Sequence, residues 1–257
     1  MNETKKPFVL ISNDDGVYAS GLQALIEIIR PFAEILVVAP LEGQSGMSHA
    51  ITVKSPLHIK SIKKETDLEV FAVNGTPVDC VKIAINQIIT KKPDVILSGI
   101  NHGTNSSVSV FYSGTMGAAM EGCLNGIPSA GFSLDDYSQE ADFSPVNSYV
   151  LDIFNILLQK KLPENVCLNV NFPAKRKIEG LKITRQAQGR WVEKFIEWKH
   201  PHSGKYFWLA GDFVNFEPNA TDTDEWAIKN GFVSVLPLKV DITDYKAIDI
   251  LKNSFSQ

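Results

Sequence analysis

The chain has 257 residues, 44% hydrophobic and 21% charged, which supplies the apolar material for a substantial globular core. A formal net charge of −4 gives no global reason to expect a nucleic-acid duplex as partner. The three cysteines, Cys80, Cys123 and Cys167, are far apart and form no C-x-x-C pair, which argues against zinc-knuckle and thioredoxin-like sites and suits a reducing compartment.

The chain enters a short apolar run, Phe8 to Ile11, too short for a signal core, and no later stretch has the length to span a bilayer. No membrane partner is expected, and the expected location is cytoplasmic. That first run reads as a strand ending in Ser12-Asn13-Asp14-Asp15-Gly16. Gly21 to Ile29 follows with Leu22, Leu25, Ile26 and Ile29 at i, i+3, i+4, i+7, one buried helical face. A second apolar strand, Glu34 to Ala39, closes a βαβ unit whose crossover should be right-handed. Continuous apolar strands of this kind favour a parallel sheet covered on both faces.

Pro40 to Thr52 is rich in small residues and reads as a loop; Thr52 to Ile62 and Leu68 to Val73 read as an antiparallel strand pair. Thr76 to Ile89 has helical spacing, with Pro77 tolerated in the first turn. Asp94 to Ser98 is a buried strand running into Gly99-Ile100-Asn101, Gly114 to Leu124 a helix rich in Gly and Ala, and Pro128 to Ser133 a further strand. Ser148 to Gln159 is helical by its stripe of Val150, Ile153, Phe154 and Leu157, and Val166 to Asn171 is strand-like. From Lys175 to about residue 215 charged and aromatic residues intermingle, the pattern expected of hairpin strands projecting from the body. A helix at Thr223 to Asn230, a strand at Phe232 to Leu236 and a helix at about Tyr245 to Asn253 complete the chain. No linker separates independent units, so residues 1–257 are expected to form a single α/β domain, with about 175–215 projecting.

Small polar residues recur where strands end: Asn13-Asp14-Asp15-Gly16, Gly43 to Ser48, Asn74-Gly75-Thr76-Pro77 and Ser98 to Asn101. An open α/β sheet binds ligands beyond the carboxyl ends of its strands. There Asp14, Asp15, Ser45 and Asn101 form a set of oxygen donors suited to Mg²⁺ or Mn²⁺ rather than zinc. Asp-Asp-Gly by itself is also ordinary cap and turn chemistry. Tyr112-Ser113-Gly114-Thr115 opens a helix with free N–H groups, hydroxyls and the positive end of the dipole, a cradle for a phosphoryl group, although Ser113 also reads as a plain N-cap. A metal beside such a cradle points to phosphoryl chemistry. The chain lacks the Gly-Lys-Ser/Thr ending of a P-loop, so water is the expected acceptor, activated by the metal. Direct attack by Asp14 or Asp15 is the alternative, but this adjacent pair lacks the Asp-x-Asp spacing that usually accompanies it. His49 and His102 lie in two of these loops; the role of His102 stays open, as does the identity of any general acid.

The segments LISNDDGVYASGLQAL, VVAPLEGQSGMSHAIT, VNGTPVDCV, DVILSGINHGTN and YSGTMGAAMEG, in that order, resemble the SurE family of stationary-phase survival proteins, which are metal-dependent nucleotidases and acid phosphatases. The resemblance implies a Rossmann-like three-layer α/β/α core with a mostly parallel sheet. It also implies a hairpin and C-terminal extension used in oligomerisation, making a homodimer or homotetramer. It places one divalent metal per subunit on Asp14, Asp15, Ser45 and Asn101. It assigns phosphate contacts to Asn105, Ser113, Gly114 and Thr115, with Asn74 and Gly75 near the nucleotide, and a catalytic part to Asp14, Asp15 and Asn105. The implied substrate is a nucleoside 5′- or 3′-monophosphate, with short polyphosphate for some members. Two positions depart from the family pattern: Ser107 stands where glycine is usual and Met116 where valine is common. A nucleotide-binding sensor without turnover and a structural oligomer are the rival readings. Base preference and 5′ against 3′ selectivity are not legible from the residues.

Overall fold

In the first strand, β1 (Phe8–Ser12), alternation sends Val9 and Ile11 into one apolar cluster and Leu10 into another, so both faces of the sheet are covered. The computed structural model describes residues 6–159 and 162–255. One helical layer is α1 (Ser20–Ile29) with α4 (Asn147–Leu158), which bury Leu22, Leu25, Val150 and Phe154 against Val9 and Ile11. The other is α2 (Pro77–Ile83) with α3 (Gly114–Leu124), which bury Cys80, Val81 and Ala118 against Leu10.

The remaining strands are β2 (Glu34–Pro40), β3 (Ile59–Lys64), β4 (Leu68–Val73), β5 (Val95–His102), β6 (Ser129–Leu134), β7 (Val166–Phe172), β8 (Gly180–Ile183), β9 (Gly189–His200), β10 (Gly204–Asn215) and β11 (Phe232–Lys239). Nine of the strands form one sheet in the order β3-β4-β2-β1-β5-β6-β7-β11-β8. It is mostly parallel: β3 runs antiparallel to β4 and β11 antiparallel to β7. The chain winds outward from β1 to β2 in one direction and returns to β5 on the other side of β1. The reversal of strand order therefore falls between β1 and β5, where a doubly wound sheet opens a crevice at its carboxyl edge.

Three sequence expectations are corrected in detail. The strand expected from Thr52 starts only at Ile59. Upstream, Thr52 N–H donates to the Asp79 carboxylate at 3.0 Å and His58 N–H to Asn74 Oδ1 at 2.6 Å, while Pro56 has no N–H to give, so these three positions contribute no donor to a ladder. The helix expected over Thr76 to Ile89 does continue to Ile88, but its winding changes: α-helical over Pro77–Ile83, it widens to a π-helix over Ala84–Ile88. In the region expected to project, β8 instead joins the edge of the main sheet, parallel to β11, with Thr184 Oγ1 2.8 Å from Ser234 Oγ. The hairpin proper is β9 and β10, a separate two-stranded sheet paired from Gly189↔Asn215 to His200↔Gly204. An edge strand, half exposed and alternating, has the same local pattern as a hairpin strand, which is why the two merged in the sequence. Two short helices complete the description: α5 (Asp224–Lys229), capped by Thr223, and α6 (Tyr245–Phe255), which buries none of its residues. No helix among the described residues is long and apolar enough to cross a membrane.

Candidate active site

The crevice between β1 and β5 is built first by the turn after β1. Asn13 Nδ2 donates to the Gly16 carbonyl at 2.9 Å, and Gly16 takes a φ of 103°, which only glycine adopts readily. The turn leaves Asp14 buried, with the Thr115 hydroxyl donating to its carboxylate. Burial pushes the Asp14 carboxyl up to about 6; the Thr115 hydrogen bond opposes the rise and the charge of Asp15 adds to it. Asp15 is also raised by burial, partly offset by the His102 backbone N–H, which donates to Oδ2 at 3.2 Å.

The helix N-terminus of α3 meets this turn at close range. A Cβ on Gly114 would stand 2.8 Å from Asp14 Cβ, so glycine is what lets the helix start there. Ser113 is the N-cap, its Oγ accepting from Met116 N–H at 3.0 Å. Met116 is wholly buried, and its sulfur would be 2.4 Å from a Cβ on Gly131; the longer side chain fits because Gly131 leaves room.

The Ser45 loop is tied down at both ends. Gln44 N–H donates to the Asp14 carbonyl at 2.7 Å, and Ser48 binds Tyr112 O through N–H at 3.0 Å and Phe111 O through Oγ at 2.6 Å. Just beyond, His49 Nε2 lies 3.1 Å from the buried carboxylate of Glu121, which also takes Lys82 Nζ at 2.9 Å. Burial works to raise the Glu121 pKa, but the His49 and Lys82 hydrogen bonds outweigh it and hold the carboxyl below its ordinary range.

On the β5 side, a bulge between Ser98 and Asn101 turns the strand end. Asn101 Nδ2 donates to the Gly103 carbonyl at 2.7 Å, which leaves its Oδ1 as the end offered to the cavity. The next loop is held by a buried amide network. Asn105 N–H donates to Asn171 Oδ1, Asn105 O accepts from Asn169 Nδ2, and Asn105 Nδ2 donates to Ser133 Oγ, each at 2.8 Å. The Ser133 pair is equally satisfied with the carboxamide turned over, Ser133 Oγ donating and Asn105 Nδ2 free toward the cavity.

Ser107 settles the question raised by its departure from glycine. Its φ is 49°, in the left-handed region, and its side chain compensates: Oγ donates to Ala187 O at 2.8 Å while its N–H donates to Asp224 Oδ2 at 2.7 Å. Ser107→Ala is expected to cost about 1–2 kcal/mol by orphaning that carbonyl. Ser107→Gly should cost less, because relief of the left-handed backbone returns about 1 kcal/mol. Urea midpoints of the two variants check the order, and a Gly variant weaker than the Ala variant would contradict it.

These elements enclose a cavity of about 540 Å³ lined by Asp14, Ser45, Asn101, Asn105 and Ser113. Asp15 faces an adjoining cavity of about 550 Å³, with His102 and Tyr137 on the boundary of both. His102 is engaged with Ser20 Oγ at 3.0 Å and edge-on to Phe143. Thr115 is fully buried and spends its hydroxyl on Asp14. Asn74 braces the Pro56–His58 segment, and Gly75 packs beside Leu57 and Asp79; neither lines the cavity. What sequence reasoning missed is the far wall, Trp191, Glu193 and Leu209 from the hairpin, and the supports Asn169 and Asn171. The polar alternation of Leu168-Asn169-Val170-Asn171 inside an apolar strand was the available signal for the latter.

The donor set fits a hard divalent cation. Among the described residues no three His, Cys, Asp or Glu cluster, so a nitrogen- and sulfur-rich site of the zinc type is not what these side chains build. Here two adjacent carboxylates, both with their charged forms disfavoured by burial, lie beside a hydroxyl and an amide whose oxygen end is turned outward. Asn13 Oδ1, buried beside them, has no protein partner.

Residues 9–193 match the protein family described as Survival protein SurE. The chain is 47% identical to the 5′-nucleotidase SurE of Phocaeicola vulgatus, over 97% of each chain. It is 48% identical to the 5′-nucleotidase SurE of Flavobacterium psychrophilum, over 96% of this chain and 97% of that one. The crystal structure of the SurE protein from Aquifex aeolicus superposes with a TM-score of 0.80 at 37% identity, covering 96% of this chain and 99% of the other.

Proposed function

The chain belongs to the SurE family, and from that premise we infer that it is a 5′-nucleotidase, a hydrolase that releases phosphate from nucleoside monophosphates. The observation that carries the reading is the convergence of Asp14, Ser45, Asn101, Asn105 and Ser113, from separate loops, on one cavity at the point where strand order reverses.

Asp14, Asp15, Ser45 and Asn101 would hold one Mg²⁺ or Mn²⁺. Once bound, the cation supplies charge neutralisation at the phosphoryl group and makes water a better nucleophile near neutral pH. The protein's own part is electrostatic and positional. The N-terminus of α3 presents backbone N–H groups and dipole to phosphoryl oxygens, with the Ser113 hydroxyl at its mouth. Asn105, clamped by Asn169 and Asn171, offers Nδ2 to the phosphate in its turned-over orientation. Thr115 acts through Asp14, fixing the carboxylate rather than touching the substrate. Asn74 and Gly75 act at most by bracing the segment before β3.

Activity on 3′-nucleotides and short polyphosphates belongs to the same proposal, since the cradle reads the phosphoryl group. So does self-association into a dimer or tetramer, supported by the exposed Phe195, Trp198, Phe207 and Trp208 of the hairpin and by the unburied α6. A cytoplasmic location is the accompanying expectation, consistent with three cysteines that carry no disulfide.

Phosphate release from AMP is expected to vanish in EDTA and to return on addition of Mn²⁺ or Mg²⁺. Undiminished release in EDTA would refute the metal-dependent mechanism. Saturable AMP binding with no release under any of these metals would favour the sensor instead.

A further inference from the structure

The cavity has two unlike walls. One is the polar floor just described; the other is a face of the hairpin, 78 residues or more further along the chain. The β9–β10 register pairs Trp191 with Phe213, Glu193 with Gly211 and Phe195 with Leu209. Directly paired residues and those two apart share a face, so Trp191, Glu193, Leu209 and Gly211 look the same way, into the cavity. We propose that this face is the nucleoside subsite, with Trp191 stacking on the base and Glu193 accepting hydrogen bonds from the ribose hydroxyls. The proposal rests on the nucleotidase reading of the floor.

Trp191 is held as a platform. Its Nε1 donates to Ser109 Oγ at 3.3 Å, and its ring meets Phe213 edge-on at 5.8 Å, yet 38% of the residue stays open. A fixed indole with a free face is what a planar base stacks on, and such stacking tolerates any base. Ser109 belongs to the short helical turn between the Asn105 loop and the α3 cap, so the platform is tied to the phosphate floor by one hydrogen bond.

The Glu193 carboxylate has no hydrogen bond or ion pair among the described residues, whereas Lys194 on the opposite face is paired with Asp212 at 2.8 Å. Gly211 across from it carries no side chain to cover it. A carboxylate in this wall repels phosphate, so it suits the end of the substrate remote from the floor. Hydroxyl donors are its natural ligands, and a nucleoside monophosphate supplies them on the ribose. The cavity, at about 540 Å³, lies within the usual range for small-molecule sites.

The test is steady-state phosphate release by the full-length protein with Mn²⁺ on AMP, 2′-deoxy-AMP and glycerol 2-phosphate, which has neither base nor ribose. Trp191→Ala is expected to raise KM for AMP roughly 10- to 100-fold, the loss of one stacked base, with little change on glycerol 2-phosphate. Wild type is expected to favour AMP over 2′-deoxy-AMP by about tenfold, and Glu193→Ala to bring that preference near unity. Unchanged AMP kinetics in both variants would overturn the proposal. Equal losses on AMP and glycerol 2-phosphate would do so too, by assigning the residues a merely structural role. Wild-type protein that releases phosphate from none of the three overturns the nucleotidase reading itself, a result distinct from lost discrimination.

Discussion

Asp14→Asn is expected to make the metal-free protein more stable at pH 7.5 while lowering turnover by roughly 10²- to 10³-fold or more. The two effects share one cause. Burial raises the Asp14 pKa from its ordinary 3.8 to about 6 in the folded chain. A carboxyl whose folded pKa is raised favours the fold fully below pH 3.8, and that contribution is lost as pH rises through about 6. Above that point the metal-free native state carries a buried charge it resists, a penalty on the order of 3 kcal/mol. Asparagine keeps an oxygen for the Thr115 hydroxyl and carries no charge, so the penalty disappears. A divalent cation relieves the same penalty in the wild type. Mn²⁺ should therefore raise the melting temperature of the wild type at pH 7.5 and leave that of Asp14→Asn nearly unmoved. A metal-free variant less stable than wild type at that pH, or an equal Mn²⁺ shift in both, would remove Asp14 from the cation site. The measurement needs no substrate, so it separates holding the metal from turning over.

How much of this was open to a reader of the residues depends on the range of the contact. The unit from β1 through α1 to β2 was legible because Leu22, Leu25, Ile26 and Ile29 repeat at helical spacing between two apolar runs. That Asp14, Ser45 and Asn101 line one cavity was legible because strand ends in a parallel sheet share an edge. Thr115 was placed correctly on α3, but its hydroxyl was expected on the phosphate and lies on Asp14; which way a buried hydroxyl turns is a tertiary fact. Asn74 sat in a strand-end loop like the others, yet β4 lies at the flank beyond β2, away from the β1–β5 reversal. Trp191 and Glu193 could not be connected to the site at all. Their alternation identifies a strand, but nothing local says over which surface a projecting hairpin folds.

The same dependence on tertiary contact makes Gly21→Ala the harshest single-methyl change near the site. By helix propensity alone, alanine in α1 should stabilise by about 1 kcal/mol. The structure reverses the sign. A Cβ on Gly21 would lie 1.9 Å from the Ile100 carbonyl oxygen, 2.9 Å from its carbon and 3.1 Å from Phe143 Cζ. The first two are backbone atoms of the β5 bulge and cannot rotate away. Relief requires α1 to lift from β5, and α1 begins four residues after the Gly16 turn that aims Asp14 and Asp15, while Ile100 immediately precedes Asn101. The expected cost is about 3 kcal/mol, a fall in melting temperature of roughly 5–10 °C for a chain of this size. Because the displaced groups carry donors from both sides of the crevice, activity should drop about 10²-fold even when assayed well below the variant's own midpoint. Weakened Mn²⁺ binding should accompany the loss. A variant that melts with the wild type and keeps its turnover would mean that α1 and β5 do not hold the two halves of the cation site in register.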